Sequence, residues 1–207
     1  MPRLDDIRTR LVDYSPWTAP DAGRPAFEAA VALVLYQPDP SEAADASAEL
    51  LFIERAQREG DPWSGHMAFP GGRREQGDGD LQQTAARETL EEVGLELREP
   101  IASLDHFSGS RNVRIPPLLV APYVYEVHER PVLQANHEVN STVWVPLRWI
   151  LASESWTAYE VESDDARMAF PAFRYDRYTV WGLTYRILRN FLSVVGREIP
   201  SPDDEEA

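Results

Sequence analysis

The 207-residue chain has no cysteine. A disulfide framework, a thiolate zinc site and a cysteine nucleophile are therefore all excluded. Long hydrophobic runs are also missing: no apolar stretch approaches the ~20 residues that a membrane-spanning helix needs. The opening "MPRLDDIRTRLVDYSPW" lacks the apolar core and small-residue cleavage pattern of a signal peptide. The expectation is a cytoplasmic protein with no membrane partner. Positive charge is scarce, with 20 Lys and Arg against 35 Asp and Glu, a formal net charge of −15. That balance argues against a nucleic-acid partner, because phosphate contacts need a basic surface. A polyanionic substrate would need a few well-placed arginines or a divalent metal. The four histidines lack metal-ligand spacing, and no internal repeat is present.

What is present is globular: 43% hydrophobic and 10% aromatic residues, in a length suited to one domain of ordinary size. Apolar residues Leu4, Ile7 and Leu11 predict a short amphipathic helix. Proline and glycine in "SPWTAPDAGRP" then break it, so residues 1–26 read as a helix and linker. Strands are predicted at Ala29–Gln37 and Glu49–Ala56, joined by a polar, alanine-rich loop. "HMAFPGG" reads as a short strand entering a turn. A helix is predicted over Leu81–Val93, with Leu81, Ala85, Leu90 and Val93 as its apolar face, Asp78 or Asp80 as N-cap and Gly94 as C-cap. "IASLDHFSG", "LLVAPYVYEV" and "STVWVPL" read as further strands, "LRWILAS" as a short helix, and "MAFPAFRYDRYTVWG" as a hairpin or extended stretch. "TVWGLTYRILRNFLSVVG" predicts a C-terminal helix. The main domain is expected over 27–198, followed by a disordered acidic tail at 199–207. Strands mixed with helices give an α/β or α+β domain.

One stretch, "ARETLEEVGLEL", breaks a local rule. Residues three and four apart on a helix are neighbours, so Glu88, Glu91 and Glu92 would share one face at a cost of about 0.2–0.5 kcal/mol per like-charge pair. They also lie near the carbonyl end of the helix, where anions are disfavoured by roughly 0.3–1 kcal/mol. A cation is the obvious compensation. Magnesium takes oxygen ligands, usually one or two carboxylates with waters and substrate phosphates, and manganese suits the same donors. Two such ions could neutralise a diphosphate and polarise a water for in-line attack on phosphorus.

The segment "FPGGRREQGDGDLQQTAARETLEEVGL" resembles the signature of the Nudix hydrolases, G-x5-E-x7-R-E-U-x-E-E-x-G-U with U a bulky aliphatic residue. Gly72, Arg87, Glu88, Glu91, Glu92, Gly94 and Leu95 match its fixed positions. Three departures stand out. Thr89 replaces an aliphatic residue, the interval from Gly72 to Arg87 is one residue longer, and Gly79 occupies the place of the first glutamate. Glu75, Asp78 and Asp80 are the acids near enough to serve in its stead.

The resemblance implies an α/β/α sandwich with a mixed β-sheet and, here, additional N- and C-terminal helices. It implies Mg2+ or Mn2+ as cofactor, with Glu88 and Glu92 as metal ligands. Glu91 is implied to ligate or act as base, and Arg87 to hold the glutamates by ion pairing. Glu138, in a loop just before a strand, is a further candidate ligand, and Gly71 and Gly72 shape the turn beneath the metals. "LLFIERAQREGDPWSGHMAFPGG" looks like the upstream element of the coenzyme A diphosphatase branch, which makes Arg55 a substrate contact. Ile53 and Asp61 depart from that element, and an aspartate in place of an arginine would repel phosphate. Arg111 and Arg114 in "SGSRNVRIPP" are further candidates for substrate binding. His66 reads as structural rather than catalytic, and Trp63 and Phe69 as core aromatics, with stacking on a base as their alternative. The implied reaction is hydrolysis of a nucleoside diphosphate linked to another moiety, with coenzyme A or an acyl derivative first. ADP-ribose, NADH or another dinucleotide or nucleotide sugar comes second, and a non-catalytic nucleotide-sensing module third. Related enzymes often dimerise, and the extra terminal helices would suit a homodimer.

Overall fold

A computed structural model describes residues 4–19, 27–39, 47–60, 63–108, 118–163 and 166–199. Its centre is β1 (Phe27–Tyr36), an apolar strand paired in parallel along its whole length with β7 (Leu118–Val127), from Phe27 opposite Leu118 to Tyr36 opposite Val127. On its other side β1 pairs antiparallel with β2 (Glu49–Arg55) and with the short β4 (Gly71–Arg73). β2 in turn pairs with β3 (Met67–Ala68) and β8 (Val139–Pro146). β5 (Ala102–Ser103) and β6 (Phe107–Ser108) lie against β7, so the stretch expected as one strand is two short ones. The sheet is mixed, as expected.

Alternation along β1 sorts its side chains between two faces. Leu33 and Leu35 join a core built with Ile7 and Leu11 of α1 (Leu4–Val12) and with Leu188, Phe191 and Leu192 of α4 (Gly182–Val194). Ala30, Ala32 and Val34 face the other way, against Leu81, Ala85 and Val93 of α2 (Leu81–Val93). Helices therefore cover both faces, giving the α/β/α sandwich. Small residues at Ala30 and Ala32 let α2 approach the sheet closely.

α2 begins at the Asp80 cap, whose side chain accepts from the Gln83 N–H, and ends at Gly94 in the left-handed region (φ 69°). Of its expected apolar face, Leu90 is misplaced: it is 50% exposed, whereas Thr89 is fully buried. The Thr89 hydroxyl donates to the Ala85 carbonyl at 2.7 Å, which satisfies it inside the core. A threonine in the aliphatic position of the motif is thus accommodated by a hydrogen bond within its own helix.

After α3 (Leu147–Ile150) and a 3-10 turn at Ser153–Ser155 comes a second, three-stranded antiparallel sheet. It consists of β9 (Trp156–Ser163), β10 (Ala166–Tyr175) and β11 (Tyr178–Trp181). β10 and β11 form the expected hairpin, but β9 had no counterpart in the sequence reading, and Thr179–Trp181, expected at the start of the last helix, belong to β11. The hairpin tip is fastened to the main sheet: Arg177 Nη2 donates to Glu54 Oε2 at 3.0 Å and to the Ser141 hydroxyl at 3.2 Å. Among the described residues no helix is long and apolar enough to cross a membrane. Of the tail expected as disordered at 199–207, Ile199 is instead buried in the core, and residues 200–207 lie outside the described residues.

Candidate active site

The "PGG" turn and the end of α2 are shaped for each other. Gly71 has φ 151°, and a Cβ there would fall 2.2 Å from the Ala30 carbonyl oxygen, so only glycine fits. Its N–H donates to Glu92 Oε2 at 2.8 Å. A Cβ on Gly72 would lie 2.4 Å from the Glu88 carboxyl carbon. Gly72 thus leaves the room that the Glu88 carboxyl occupies, while Gly71 lets the turn lie against β1.

Glu92 is 2% exposed. Burial pushes its carboxyl up to about 8. Repulsion from Glu88 and Glu138 adds to this, against the Gly71 hydrogen bond and the charge of Arg55. Burial also raises Glu88, against Arg87, and Glu91 and Glu138 push it the same way. Glu88, Glu92, Glu138, Arg55, Gly71 and Gly72 all line one cavity of about 770 Å³.

Glu138 reaches the cavity because its loop continues the end of α2. Gln134 N–H donates to the Val93 carbonyl at 2.8 Å and Asn136 N–H to the Glu92 carbonyl at 2.9 Å, which satisfies acceptors that a helix end leaves open. The Asn136 side chain then accepts from the Glu138 N–H at 2.7 Å. The Glu138 carboxylate pairs with Arg58 at 2.9 Å, a partner the sequence reading missed.

Glu91 corrects the expectation of one shared face. It is 54% exposed and lies outside the cavity lining, pointing instead at Arg87 Nη1, 3.2 Å away. The helical period turns Glu88 and Glu92 toward the sheet and rotates Glu91 to the rim.

Arg87 is a hub. Its Nε and Nη2 each meet Asp78 at 2.9 Å, Nη2 also donates to the Arg73 carbonyl at 3.0 Å, and Nη1 donates to Glu88 at 3.0 Å. The bidentate hydrogen bonds from Arg87 hold Asp78 far below the usual carboxylate range. Of the three acids near Gly79, Asp78 fills the place of the first motif glutamate. Counted forward from Gly72 instead of back from Arg87, the motif slot is in fact Asp78. Asp80 is occupied as the helix cap, and the Glu75 N–H donates to Asp78.

The remaining predicted residues divide. Phe69 is core, stacked on Phe52 at 4.8 Å. Trp63 and His66 line the cavity, and His66 meets the Trp181 ring edge to face at 4.9 Å. Arg111, Arg114 and Asp61 lie outside the described residues. The sequence reading gave no site role to Val161, Met168, Phe170 and Trp181, which line the same cavity as the carboxylates. Their signal was a strand alternation that looked like ordinary packing.

The family fold implies a divalent cation, and the donors test that. Among the described residues no three acidic or histidine side chains are gathered at the spacing of a metal-ligand group. Glu88 and Glu138 are turned onto Arg87 and Arg58. Chemically the set still fits: three carboxylates line one cavity, two of them with raised proton affinity, and all-oxygen donors suit magnesium or manganese. Glu88 and Glu138 meet those arginines through Oε1, and a carboxylate with one oxygen so engaged can still ligate through the other. The chain has no lysine, so a permanently cationic side chain that met a diphosphate oxygen would be a guanidinium.

The NUDIX domain family model matches residues 26–164, well over half of the chain. The chain belongs to the Nudix family. An uncharacterized protein of Schizosaccharomyces pombe is 40% identical over 134 residues, covering 60% of this chain and 40% of that protein. The mitochondrial Nudix hydrolase 15 of Arabidopsis thaliana is 28% identical, over 88% of this chain and 63% of its own length. A human mitochondrial coenzyme A diphosphatase is 28% identical over 65% of this chain and 58% of its own length. The chain thus spans less than two thirds of these three relatives. A MutT/nudix family protein from Enterococcus faecalis shares the fold, with a TM-score of 0.56 over 94% of this chain and 70% of that one, at 19% identity.

Proposed function

We propose that the protein is a metal-dependent hydrolase of a nucleoside diphosphate linked to another moiety, with coenzyme A or its acyl derivatives as the leading substrate. The observation that carries this reading is the buried Glu92, its proton affinity raised by burial and by Glu88 and Glu138, which line the same cavity. Magnesium or manganese bound there would neutralise diphosphate oxygens and make a water more acidic for attack on phosphorus. Glu88 and Glu92 would hold the cations, and the Gly71 N–H fixes the orientation of Glu92. Glu138 accepts the proton of the attacking water. Glu91, on the rim, joins the metal sphere only by releasing Arg87. Arg87 is a positioning residue: Asp78 and the Arg73 carbonyl hold its guanidinium still, and it in turn sets Glu88. Arg55 contacts a diphosphate oxygen, and Arg111 and Arg114, which fall between β6 and β7 in the sequence, bind substrate.

The coenzyme A choice draws on the upstream element around Arg55 and on the human coenzyme A diphosphatase among the relatives. A product screen by mass spectrometry tests it. Coenzyme A with Mg2+ or Mn2+ should give phosphopantetheine and adenosine 3′,5′-bisphosphate. Absence of both, with ADP-ribose or NADH cleaved instead, would move the assignment to a dinucleotide or nucleotide-sugar substrate.

A further inference from the structure

The cavity lining divides by element. Its charged lining residues, Arg55, Arg73, Glu88, Glu92 and Glu138, come from β2, β4, α2 and the loop before β8. None comes from the second sheet or from α4, which contribute Val161, Met168, Phe170, Trp181, Leu183 and Ile187. The hydroxyl on that side, Thr184, already donates to the Met67 carbonyl at 3.0 Å. The rings are engaged with one another: Trp181 stacks on Tyr159 at 4.3 Å and is met by Phe170 at 5.7 Å. They form a fixed wall of ring and aliphatic carbon. Met168 completes it with a side chain 46% exposed, and methionine adapts readily to an apolar guest. Met168, Phe170 and Trp181 lie beyond residues 26–164, the span matched by the family.

From this segregation we infer that the second sheet and α4 form a subsite for an aliphatic arm carried by the diphosphate substrate, and that this subsite selects long-armed substrates over those carrying a second sugar. The inference rests on the proposed diphosphate chemistry at the carboxylates. A ribose placed against this wall would lose its hydrogen bonds to water and find few replacements. An acyl or alkyl chain loses nothing and buries apolar surface. A volume of about 770 Å³ suits a ligand that reaches from the carboxylates to the wall.

The test uses coenzyme A and its acyl thioesters from acetyl to decanoyl. Equilibrium binding is measured by calorimetry in magnesium with Glu88→Gln, and KM with the wild-type chain. Both Kd and KM should fall with chain length, by up to about fourfold per buried methylene, which corresponds to about 0.8 kcal/mol. Met168→Asp should flatten the series, and Met168→Leu should restore it. Circular dichroism confirms that each variant is folded. A Kd independent of chain length, or a series unchanged by Met168→Asp, overturns the inference. If the thioesters bind with the expected dependence but none is cleaved, the subsite stands and the hydrolytic reading falls. If they are cleaved with a flat series, the subsite falls and the hydrolytic reading stands.

Discussion

α2 and α4 are both 13 residues long and cover opposite faces of the same sheet, yet they are held in different ways. α4 buries Tyr185, Ile187, Leu188, Phe191 and Leu192, and no side chain caps its N-terminus. α2 buries Leu81, Thr84, Ala85, Thr89, Glu92 and Val93, so half of its inward residues are polar. It is closed by caps at both ends and braced by the Asp78–Arg87 pair. A helix that presents carboxylates inward has given up apolar contact, and hydrogen bonds and ion pairs take over the work of fixing it. α4 carries the fold through burial, which explains why it can also offer a plain apolar wall to the cavity.

The sharpest way to break this contrast is to exchange the consequences of mutation. Glu88→Gln should lower kcat on the order of 10³- to 10⁴-fold, since it removes a proposed cation ligand next to the reacting phosphorus. Its melting temperature should stay close to the wild type, because an amide can still accept from Arg87. Phe191→Ala should do the reverse. Removing a fully buried ring costs about 3–5 kcal/mol of stability, and the folded fraction should retain its kcat. Steady-state kinetics beside thermal denaturation checks both. Wild-type rates for Glu88→Gln would end the proposed mechanism, and an unchanged melting temperature for Phe191→Ala would end the account of α4.

Much of this contrast was legible in the sequence. The α/β/α sandwich, α2 with its Asp80 and Gly94 ends, and the central strands followed from periodicity, capping residues and the family motif. The orientation of single side chains did not. Glu91 and Glu92 are adjacent in sequence, and only the docking of α2 on Ala30 and Ala32 decides which of them is buried. Leu90 and Thr89 exchanged expected places for the same reason. Three acids near Gly79 were equivalent on paper until the loop closed and brought Asp78 to Arg87. The apolar wall was least legible, because β9 interleaves Tyr159 and Val161 with exposed Ala158 and Glu160. Its partner in the site is set by tertiary contact alone.

A smaller effect probes the brace of α2. The Asp78 carboxylate accepts two hydrogen bonds from Arg87, one from the Thr84 hydroxyl and one from the Glu75 N–H. Asp78→Asn should cost about 1.5–3 kcal/mol, the range for hydrogen bonds to a charged group. Arg87 and Glu88 would lose their fixed positions, so kcat should fall with KM little changed, and Asp78→Glu should recover part of both losses. If Asp78→Asn melts with the wild type, Arg87 is held by Arg73 and the glutamates instead, and the brace is misassigned.

The last effect is a slope, slight over any fraction of a pH unit. Burial, with repulsion from Glu88 and Glu138, pushes Glu92 from its ordinary value of 4.5 up to about 8 in the folded protein. In EDTA the folded state therefore keeps a proton that the unfolded chain releases near pH 4.5. The stability this gives is full below that pH, falls as pH rises, and is lost once pH passes about 8. One proton sets the limit at about 1.4 kcal/mol per pH unit. Glu92→Gln is neutral at every pH and can keep the Gly71 hydrogen bond, so it should remove the slope. Urea melts at pH 5, 7 and 8.5 should show the variant gaining on the wild type as pH rises. Magnesium should restore the wild type at pH 8.5 and leave the variant unmoved, since a dication offsets the repulsion that the amide never had. Parallel pH curves for the two proteins would mean that Glu92 is charged without cost, and α2 would then be as ordinary a helix as α4.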